Sequence, residues 1–220
     1  MIEFYDVEQN TDAWLDLRAG LLTSSNLATV MANDGKAFGP PAKRLAIDIA
    51  IEQITGRRKS GASYSNAHME RGHIEEPIAR QLYEESAFCT VTNGGIYIDG
   101  FMGGSPDGRV GTNGLIEIKS AIPGIHFERV RKGGIDATYK WQCAGNMKIA
   151  GAEWIDFISY CADYPDPDSR LYVYRAYAVE YASEYATIDR RVAEFKALVE
   201  QTKTEILGAT YWHANRTAQI

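Results

Sequence analysis

Cysteine, histidine and long apolar runs are all scarce in this 220-residue chain. The three cysteines, Cys89, Cys143 and Cys161, are odd in number and have no CxxC spacing, which excludes a disulfide framework and a cysteine-held metal cluster. The four histidines show no metal-ligand spacing. The sequence contains no run of about 18 apolar residues and no signal-peptide pattern. We therefore expect reduced thiols, a cytoplasmic location and no membrane partner.

Positive charge is also in short supply. Lys and Arg total 23 against 29 Asp and Glu, for a net charge of -6, which excludes a protein that coats nucleic acid through bulk charge. Two segments nevertheless carry a local excess: residues 43–59 and residues 109–132 each hold five basic and two acidic side chains, or +3. Residues 151–220 hold seven basic and eleven acidic, or -4. This segregation favours a basic groove inside an acidic exterior, and a mixed solvated surface is the alternative.

The hydrophobic content of 45% is typical of a globular protein, and the length suits a single domain over residues 1–220. The hydrophobic periodicity and the Gly and Pro turn signals predict an α/β fold with a central mixed sheet flanked by helices. The predicted helices are 12–31, broken at Ala19-Gly20, then 43–55, 66–86, 137–149 and 183–207. The predicted strands lie near 91–98 and at 101–110, 115–120, 154–161 and 171–179. Residues 126–133 are predicted to be a basic, mobile connector. Ile74, Ile78 and Leu82, at four-residue spacing, form the expected apolar stripe of the helix 66–86.

The most informative stretch is Ser105-Pro106-Asp107-Gly108, followed by Glu117-Ile118-Lys119. An Asn-Gly pair between the two apolar runs predicts a hairpin, which would bring Asp107 close to Glu117 and Lys119. Period-2 alternation places Glu117 and Lys119 on one face of their strand. Two adjacent carboxylates repel unless a divalent cation lies between them, and hard oxygen ligands suit Mg²⁺. A nearby ammonium can then orient or deprotonate the water that attacks a phosphodiester.

A plainer interpretation has to be weighed against this one. An acid-x-Lys pattern also occurs at Glu194 to Lys196 and at Asp34 to Lys36, where it predicts only an exposed ion pair. Ser-Pro-Asp-Gly alone is usually a turn. The combination of both patterns on one predicted hairpin favours metal-assisted phosphodiester hydrolysis.

With these two patterns, the sequence resembles the Pro-Asp...(Asp/Glu)-x-Lys nuclease superfamily. More narrowly, it is similar to the phage lambda-type 5'-3' alkaline exonucleases of viral recombination systems, the YqaJ-like family. The resemblance covers roughly residues 12–147 and rests on four ordered motifs: the Trp-x-x-x-Arg-x-Gly-x-x-Thr-Ser-Ser opening at 14–25, Gly-x-x-x-Glu at 72–76, the Pro-Asp and Glu-x-Lys core, and Tyr-x-x-Gln at 139–142. It implies a restriction-endonuclease-like core.

The resemblance also implies roles for individual residues. The implied metal ligands are Asp107, Glu117, the main-chain carbonyl of Ile118, and Glu76. Lys119 would position and activate the attacking water, and Gln142 would help to align it. The sequence has an acid at both Glu75 and Glu76. Adjacent helix positions point about 100° apart, so only one can face the site, and the motif spacing favours Glu76. Ala144 stands where family members often have a second Gln.

Arg18, Ser25 and Ser105 would hold the 5'-phosphate of the degraded strand. Bare chemistry agrees in part, because Arg suits bidentate phosphate contact and Ser25 precedes a predicted helix whose free amides could bind an anion. The alternatives are that Arg18 is an ordinary cation at the end of a helix and that Ser25 is only a cap.

The activity implied is a Mg²⁺-dependent double-strand DNA exonuclease, with two metal ions and with Mn²⁺ as a substitute. It would degrade the 5'-phosphorylated strand from 5' to 3' and leave a 3' overhang for recombination by strand annealing. The implied partners are double-stranded DNA ends, two further copies in a homotrimeric ring, and a single-strand annealing protein. The alternatives are an endonuclease or repair nuclease of the same superfamily and a non-catalytic DNA-end-binding module.

Overall fold

The computed structural model describes the backbone of residues 1–59 and 67–217 and the side chains of 1–59 and 70–208. The helices are α1 (Asp12–Arg18), α2 (Leu27–Met31), α3 (Pro40–Thr55), α4 (Ala67–Ala87), α5 (Pro123–Lys132), α6 (Lys140–Ala150) and α7 (Ala182–Thr217). The strands are β1 (Glu3–Tyr5), β2 (Leu22–Thr23), β3 (Val91–Thr92), β4 (Ile96–Asp99), β5 (Met102–Gly104), β6 (Gly108–Val110), β7 (Gly114–Ser120), β8 (Trp154–Tyr160) and β9 (Leu171–Tyr177). The predicted start of the fourth helix, Asn66, lies outside the described residues.

The strands form two mixed sheets. The five-stranded sheet has the order β3-β6-β7-β8-β9, in which only β7 and β8 run parallel. Parallel neighbours need a crossover connection, and α5 and α6 supply it. The four-stranded sheet has the order β1-β4-β5-β2, with β2 and β5 parallel. Helices α4 and α6 contact opposite faces of the five-stranded sheet, so the expectation of a mixed sheet flanked by helices is confirmed, with a second sheet beside it.

The predicted hairpin between β6 and β7 is present. Val110 pairs with Gly114, and Gly111 has a φ of 60°, the left-handed conformation that the turn requires. The predicted continuous strand 101–110 is wrong, because β5 and β6 belong to different sheets and Ser105-Pro106-Asp107 cross between them. Gly94 allows this crossing, since a Cβ at residue 94 would lie 1.8 Å from the carbonyl oxygen of Pro106.

The segment expected to be a mobile connector is instead helix α5, with Pro123 in its first turn. Its inward face is polar: His126 is buried between Ser159 and the carbonyl of Ser169, and Arg129 bonds Asp136 and Ser159. A helix fixed by buried polar side chains carries no apolar period, which is why the sequence pattern missed it.

The expected apolar stripe of α4 faces solvent, so the prediction that it packs against the sheet is wrong. Ile74 is 70% exposed and Ile78 is 46% exposed, whereas Ala79 and Tyr83 are buried against the sheet. The inward face of α4 is selected by a small residue and an aromatic one rather than by the aliphatic repeat. Residues Glu75 and Glu76 therefore turn toward the protein instead of toward solvent.

Helices α2, α3 and α7 enclose the larger core beside the four-stranded sheet, around Leu27, Ile49 and Phe195. Helix α3 begins at Pro40, three residues earlier than predicted, and ends at Gly56 with a φ of 62°. In the described part of the chain, every helix is too short or too polar to cross a membrane.

Candidate active site

A cleft of about 950 Å³ opens between the two sheets and the ends of α1, α4 and α6. Asp107 precedes β6, while Glu117 and Lys119 follow each other on one face of β7, as alternation predicts. Ile116 and Ile118 point to the opposite face and pack around Tyr83. The hairpin thus brings the three predicted side chains together at the floor of the cleft.

Glu117 is fully buried, directly beneath the floor of the cleft that Asp107 and Lys119 line. Its Oε1 accepts hydrogen bonds from Lys119 and from the amide of Gln142, and its Oε2 accepts one from Asn146 Nδ2 at 2.9 Å. Burial and the negative charge of Asp107 raise the pKa of Glu117 to about 7. A carboxylate offers about four lone-pair sites, so three donors leave one for a further ligand.

Lys119 stays charged in this setting. Burial disfavours the ammonium, but the carboxylates of Glu117 and Asp107 outweigh it and raise the pKa of Lys119 above its usual range. Its Nζ also lies 5.2 Å from the centre of the Tyr139 ring, where a cation is attracted to the π face. Lys119 is therefore a hydrogen-bond donor and a source of positive charge rather than a proton acceptor.

Asp107 is held from both sides. Its Oδ2 accepts a hydrogen bond from the main-chain N–H of Ile118 at 2.6 Å, and its carbonyl accepts one from Arg80. The N–H and carbonyl of a strand residue point to the same side, so the Ile118 carbonyl faces Asp107, beyond the last β6–β7 pair at Gly108 and Ile116. The structure therefore places the Asp107 carboxylate and the Ile118 carbonyl on the same side of β7.

The two adjacent acids of α4 are separated as predicted. Glu76 lines the cleft, where burial and the charge of Asp107 raise its pKa to about 7. Glu75 is 8% exposed and hydrogen-bonds the hydroxyl of Ser120 beside the cleft. Only Glu76 is placed so that its charge interacts strongly with Asp107.

These residues suit a divalent cation by their chemistry. The charge of Asp107 disfavours the ionised forms of both Glu76 and Glu117, and a bound divalent cation would relieve that repulsion. Their oxygens and the Ile118 carbonyl are the hard ligands that Mg²⁺ prefers. As placed, Asp107 and Glu117 accept hydrogen bonds from protein donors, and the described side chains, those of residues 1–59 and 70–208, contain no group of three His, Cys, Asp or Glu that could hold a metal ion.

Arg18 and Ser25 lie at the other end of the same cleft. The Arg18 guanidinium is 3.5 Å from Ser25 Oγ and stacks 4.0 Å above the Trp14 ring, and burial lowers its pKa to about 10. No carboxylate among the described side chains pairs with it, so this arginine is available to an anion.

Ser105 lines the cleft, but its hydroxyl already has two partners. It donates to the carbonyl of Gly95 at 2.7 Å and accepts from the Trp14 indole N–H at 2.8 Å. Ser105 therefore links the loop that carries Asp107 to the helix that carries Arg18. Its predicted contact with a phosphate would have to use the remaining lone pair or break one of these bonds.

The cleft lining includes polar residues that were not predicted as part of the site, among them Gln9, Arg71, Arg129 and Asn146. Asn146 could have been found, because it follows Gln142 by one helical turn and so shares its face. The predicted basic groove is only partly present. Lys119 and Arg129 of the second basic segment line the cleft, together with Arg18 and Arg71 from outside both segments. Arg58 and Lys59 of the first basic segment form ion pairs with acids instead.

Comparison with known proteins finds exonucleases of similar structure. The structure is similar to the crystal structure of an alkaline exonuclease, LHK-Exo, from Laribacter hongkongensis, with 30% identity over 90% of this chain and 100% of that chain and a TM-score of 0.74. LHK-Exo in complex with dAMP gives 29% identity over 95% and 99% of the two chains and a TM-score of 0.70.

A phage related exonuclease from Haemophilus somnus 129PT is 15% identical over 86% of this chain and 96% of that chain, with a TM-score of 0.61, and bears on the fold alone. The predicted restriction-endonuclease-like fold class is confirmed. No curated protein matches the sequence. A family model, the YqaJ-like viral recombinase domain, matches residues 13–153. The chain belongs to the YqaJ-like viral recombinase domain family.

Proposed function

We propose that the protein is a Mg²⁺-dependent exonuclease of double-stranded DNA. It degrades the 5'-phosphorylated strand from 5' to 3' and leaves a 3' overhang for recombination by strand annealing. One observation carries the proposal: a single cleft holds the Asp107, Glu117 and Lys119 group at its floor and an unpaired arginine, Arg18, at its other end. The similarity to LHK-Exo, which has been crystallised with a mononucleotide, supports the same class of substrate.

At the floor of the cleft, Asp107, Glu117, Glu76 and the Ile118 carbonyl would hold the metal ions. A bound Mg²⁺, or Mn²⁺ in its place, supplies Lewis-acid stabilisation of charge on the phosphodiester. The ammonium of Lys119 donates a hydrogen bond that orients the attacking water and offsets charge that develops on the phosphate. Gln142, fixed by its bond to Glu117, aligns the same water.

At the other end of the cleft, Arg18 receives the 5'-phosphate. Its planar guanidinium can bind two phosphate oxygens, and Ser25 lies close enough to donate a third hydrogen bond. Trp14 supports this pocket from below and bonds Ser105, which borders Asp107 through Pro106. The end of a strand and the bond to be cut are thereby held at a fixed separation, as an end-dependent nuclease requires.

We assign the exposed apolar stripe of α4 to assembly. Ile74 and Ile78 of α4, and Ile125 and Phe127 of α5, are large apolar side chains in contact with solvent, which suits an interface between copies of the chain. A chain of 220 residues is small for enclosing a duplex alone, so a ring would need association, and the homotrimer is the assembly that the family resemblance implies. The single-strand annealing protein is the partner that the 3' overhang would require.

The decisive experiment digests a linear duplex labelled at either end, with and without a 5'-phosphate, in Mg²⁺ and then in EDTA. The proposal expects loss of the 5' label as mononucleotide, a preference for phosphorylated ends and no cleavage in EDTA. Cutting of a sealed circular duplex would instead identify an endonuclease. Binding without any cleavage in Mg²⁺ would identify a DNA-end-binding module.

A further inference from the structure

The turn that follows Arg18 is held by two side chains of a different helix. Gly20 donates its main-chain N–H to Glu52 Oε2 at 2.8 Å and accepts a hydrogen bond from Gln53 Nε2 at 2.8 Å. Both polar main-chain groups of this residue are thus bound by the last turn of α3. Gly20 has a φ of 74°, and a Cβ at this position would lie 2.9 Å from Gln53 Cγ, so the contact also requires a glycine.

Glu52 has a second attachment. Its Oε1 accepts the main-chain N–H of Lys59 at 2.8 Å, so one carboxylate joins the Gly20 turn to the basic segment Arg57–Lys59. The C-terminal end of a helix disfavours negative charge, so an acid there needs compensating contacts, and these two N–H groups supply them. Lys59 Nζ is further tied to Asp48 at 3.0 Å, also on α3.

Arg18 lies between the Gly20 turn and the basic segment Arg57–Lys59. It lines the main cleft and also a second hollow of about 680 Å³, whose wall includes Glu52, Arg58 and Lys59. Among the described side chains, the guanidinium has a hydrogen bond to Ser25 and a stacking contact with the Trp14 ring but no carboxylate partner, so its position depends largely on the backbone that carries it. That backbone ends in the turn that Glu52 and Gln53 hold.

We infer that Glu52 and Gln53 are positioning residues for recognition of the 5'-phosphate. They fix the Gly20 turn so that Arg18 faces the end of the strand, and Glu52 sets the basic segment Arg57–Lys59 against the same hollow. This inference rests on the proposed function, because it concerns the phosphate that Arg18 would bind.

The test measures kcat/KM on duplexes with 5'-phosphate and with 5'-hydroxyl ends, in Mg²⁺, for Glu52→Gln and Gln53→Met. Gln53→Met removes the hydrogen bond to the Gly20 carbonyl while keeping side-chain size, and Glu52→Gln leaves one acceptor oxygen for the two N–H groups of Gly20 and Lys59, so their joint attachment is broken. We expect the ratio of phosphorylated to hydroxyl ends to fall about tenfold, with kcat/KM on hydroxyl ends changed less than about twofold. Both substrates are measured on one preparation, so the ratio does not depend on the folded fraction. Glu205→Gln, in an exposed pair with Gln201 on α7, is the matched control and should leave the ratio unchanged.

A double-mutant cycle sharpens the test. In an Arg18→Ala background, Glu52→Gln should change the ratio no further, because the group that it positions is gone. Equal losses on both kinds of end, or an additive effect with Arg18→Ala, would overturn the inference and leave the proposed function standing. A wild-type protein with no preference for phosphorylated ends would overturn both.

Discussion

Two buried carboxylates on neighbouring strands behave in opposite ways. Asp156 on β8 is paired with Ile116 of β7, so it faces α4, whereas Glu117 faces α6 on the other side of the same sheet. Asp156 accepts two hydrogen bonds from Arg175, at 2.8 and 2.7 Å, and one from the Tyr83 hydroxyl at 2.6 Å. Its charge is matched by one arginine of its own.

Glu117 has no such cation to itself. Lys119 interacts with both Glu117 and Asp107, and Glu76 adds a third carboxylate to the same cleft. The remaining partners of Glu117, Gln142 and Asn146, are neutral. Burial alone therefore does not identify a functional acid. The candidate functional acid is the one in a cluster whose carboxylates outnumber the cations beside them.

The largest effect is expected at Lys119. Among the described residues, Lys119 is the one lysine that lines the cleft. We expect Lys119→Ala to lower turnover by at least about 1000-fold, or about 4 kcal/mol of transition-state stabilisation. Binding of duplex ends, followed by fluorescence anisotropy in Ca²⁺, should persist. Lys148→Ala removes an exposed partner of Asp189 and serves as the control. Retained turnover in Lys119→Ala would remove the assigned role.

The opposite outcome is expected at Asp156. Asp156→Ala leaves the Arg175 guanidinium and the Tyr83 hydroxyl without their partner, and we expect a loss of about 3 kcal/mol in the free energy of unfolding. Cleavage per folded molecule should be unchanged, because none of these groups lines the cleft. Urea unfolding and active-fraction-corrected kinetics measure the two quantities. A selective loss of turnover at full stability would break the comparison.

A third effect, intermediate in size, is expected at Asn146. Its amide caps Glu117 Oε2, and its own Oδ1 is buried with no partner among the described groups, which makes it a costly residue for packing alone. Asn146→Ala should weaken metal binding by about 10-fold to 100-fold. Calorimetric titration with Mg²⁺ measures this without relying on turnover. An unchanged affinity would show that Asn146 does not orient Glu117.

The sequence predicts one side of this comparison and not the other. Glu117 and Lys119 could be found because a hairpin signal and a second motif converge on them. Asp156 sits in an equally apolar strand, and no local pattern says that Arg175, on the next strand, will neutralise it. The burial of Arg129 and the outward face of Ile74 were missed for the same reason: local periodicity cannot tell which polar groups find partners across the sheet.

The smallest effect is expected at His126, which tests whether uncompensated charge is confined to the cleft or extends over the rest of this sheet face. His126 lies on the same face as Glu117 and is fully buried. Its Nε2 donates to the Ser169 carbonyl, and its Nδ1 accepts from Ser159, whose hydroxyl also accepts from Arg129. Burial, with a smaller effect of the Arg129 charge, lowers the pKa of His126, so the folded protein keeps the ring neutral.

A histidine with a lowered pKa makes a contribution to stability that is complete at high pH. That contribution is lost as the pH falls below about 6.5, where the unfolded chain binds a proton that the folded chain resists. His126→Gln, which keeps a donor for Ser169 and does not titrate, should therefore lose less stability than the wild type between pH 7.5 and pH 5.5. We expect a difference of about 1 kcal/mol from urea unfolding at the two pH values. If both proteins lost the same free energy of unfolding between these pH values, His126 would not be held neutral. Uncompensated charge would then extend over this sheet face beyond the cleft.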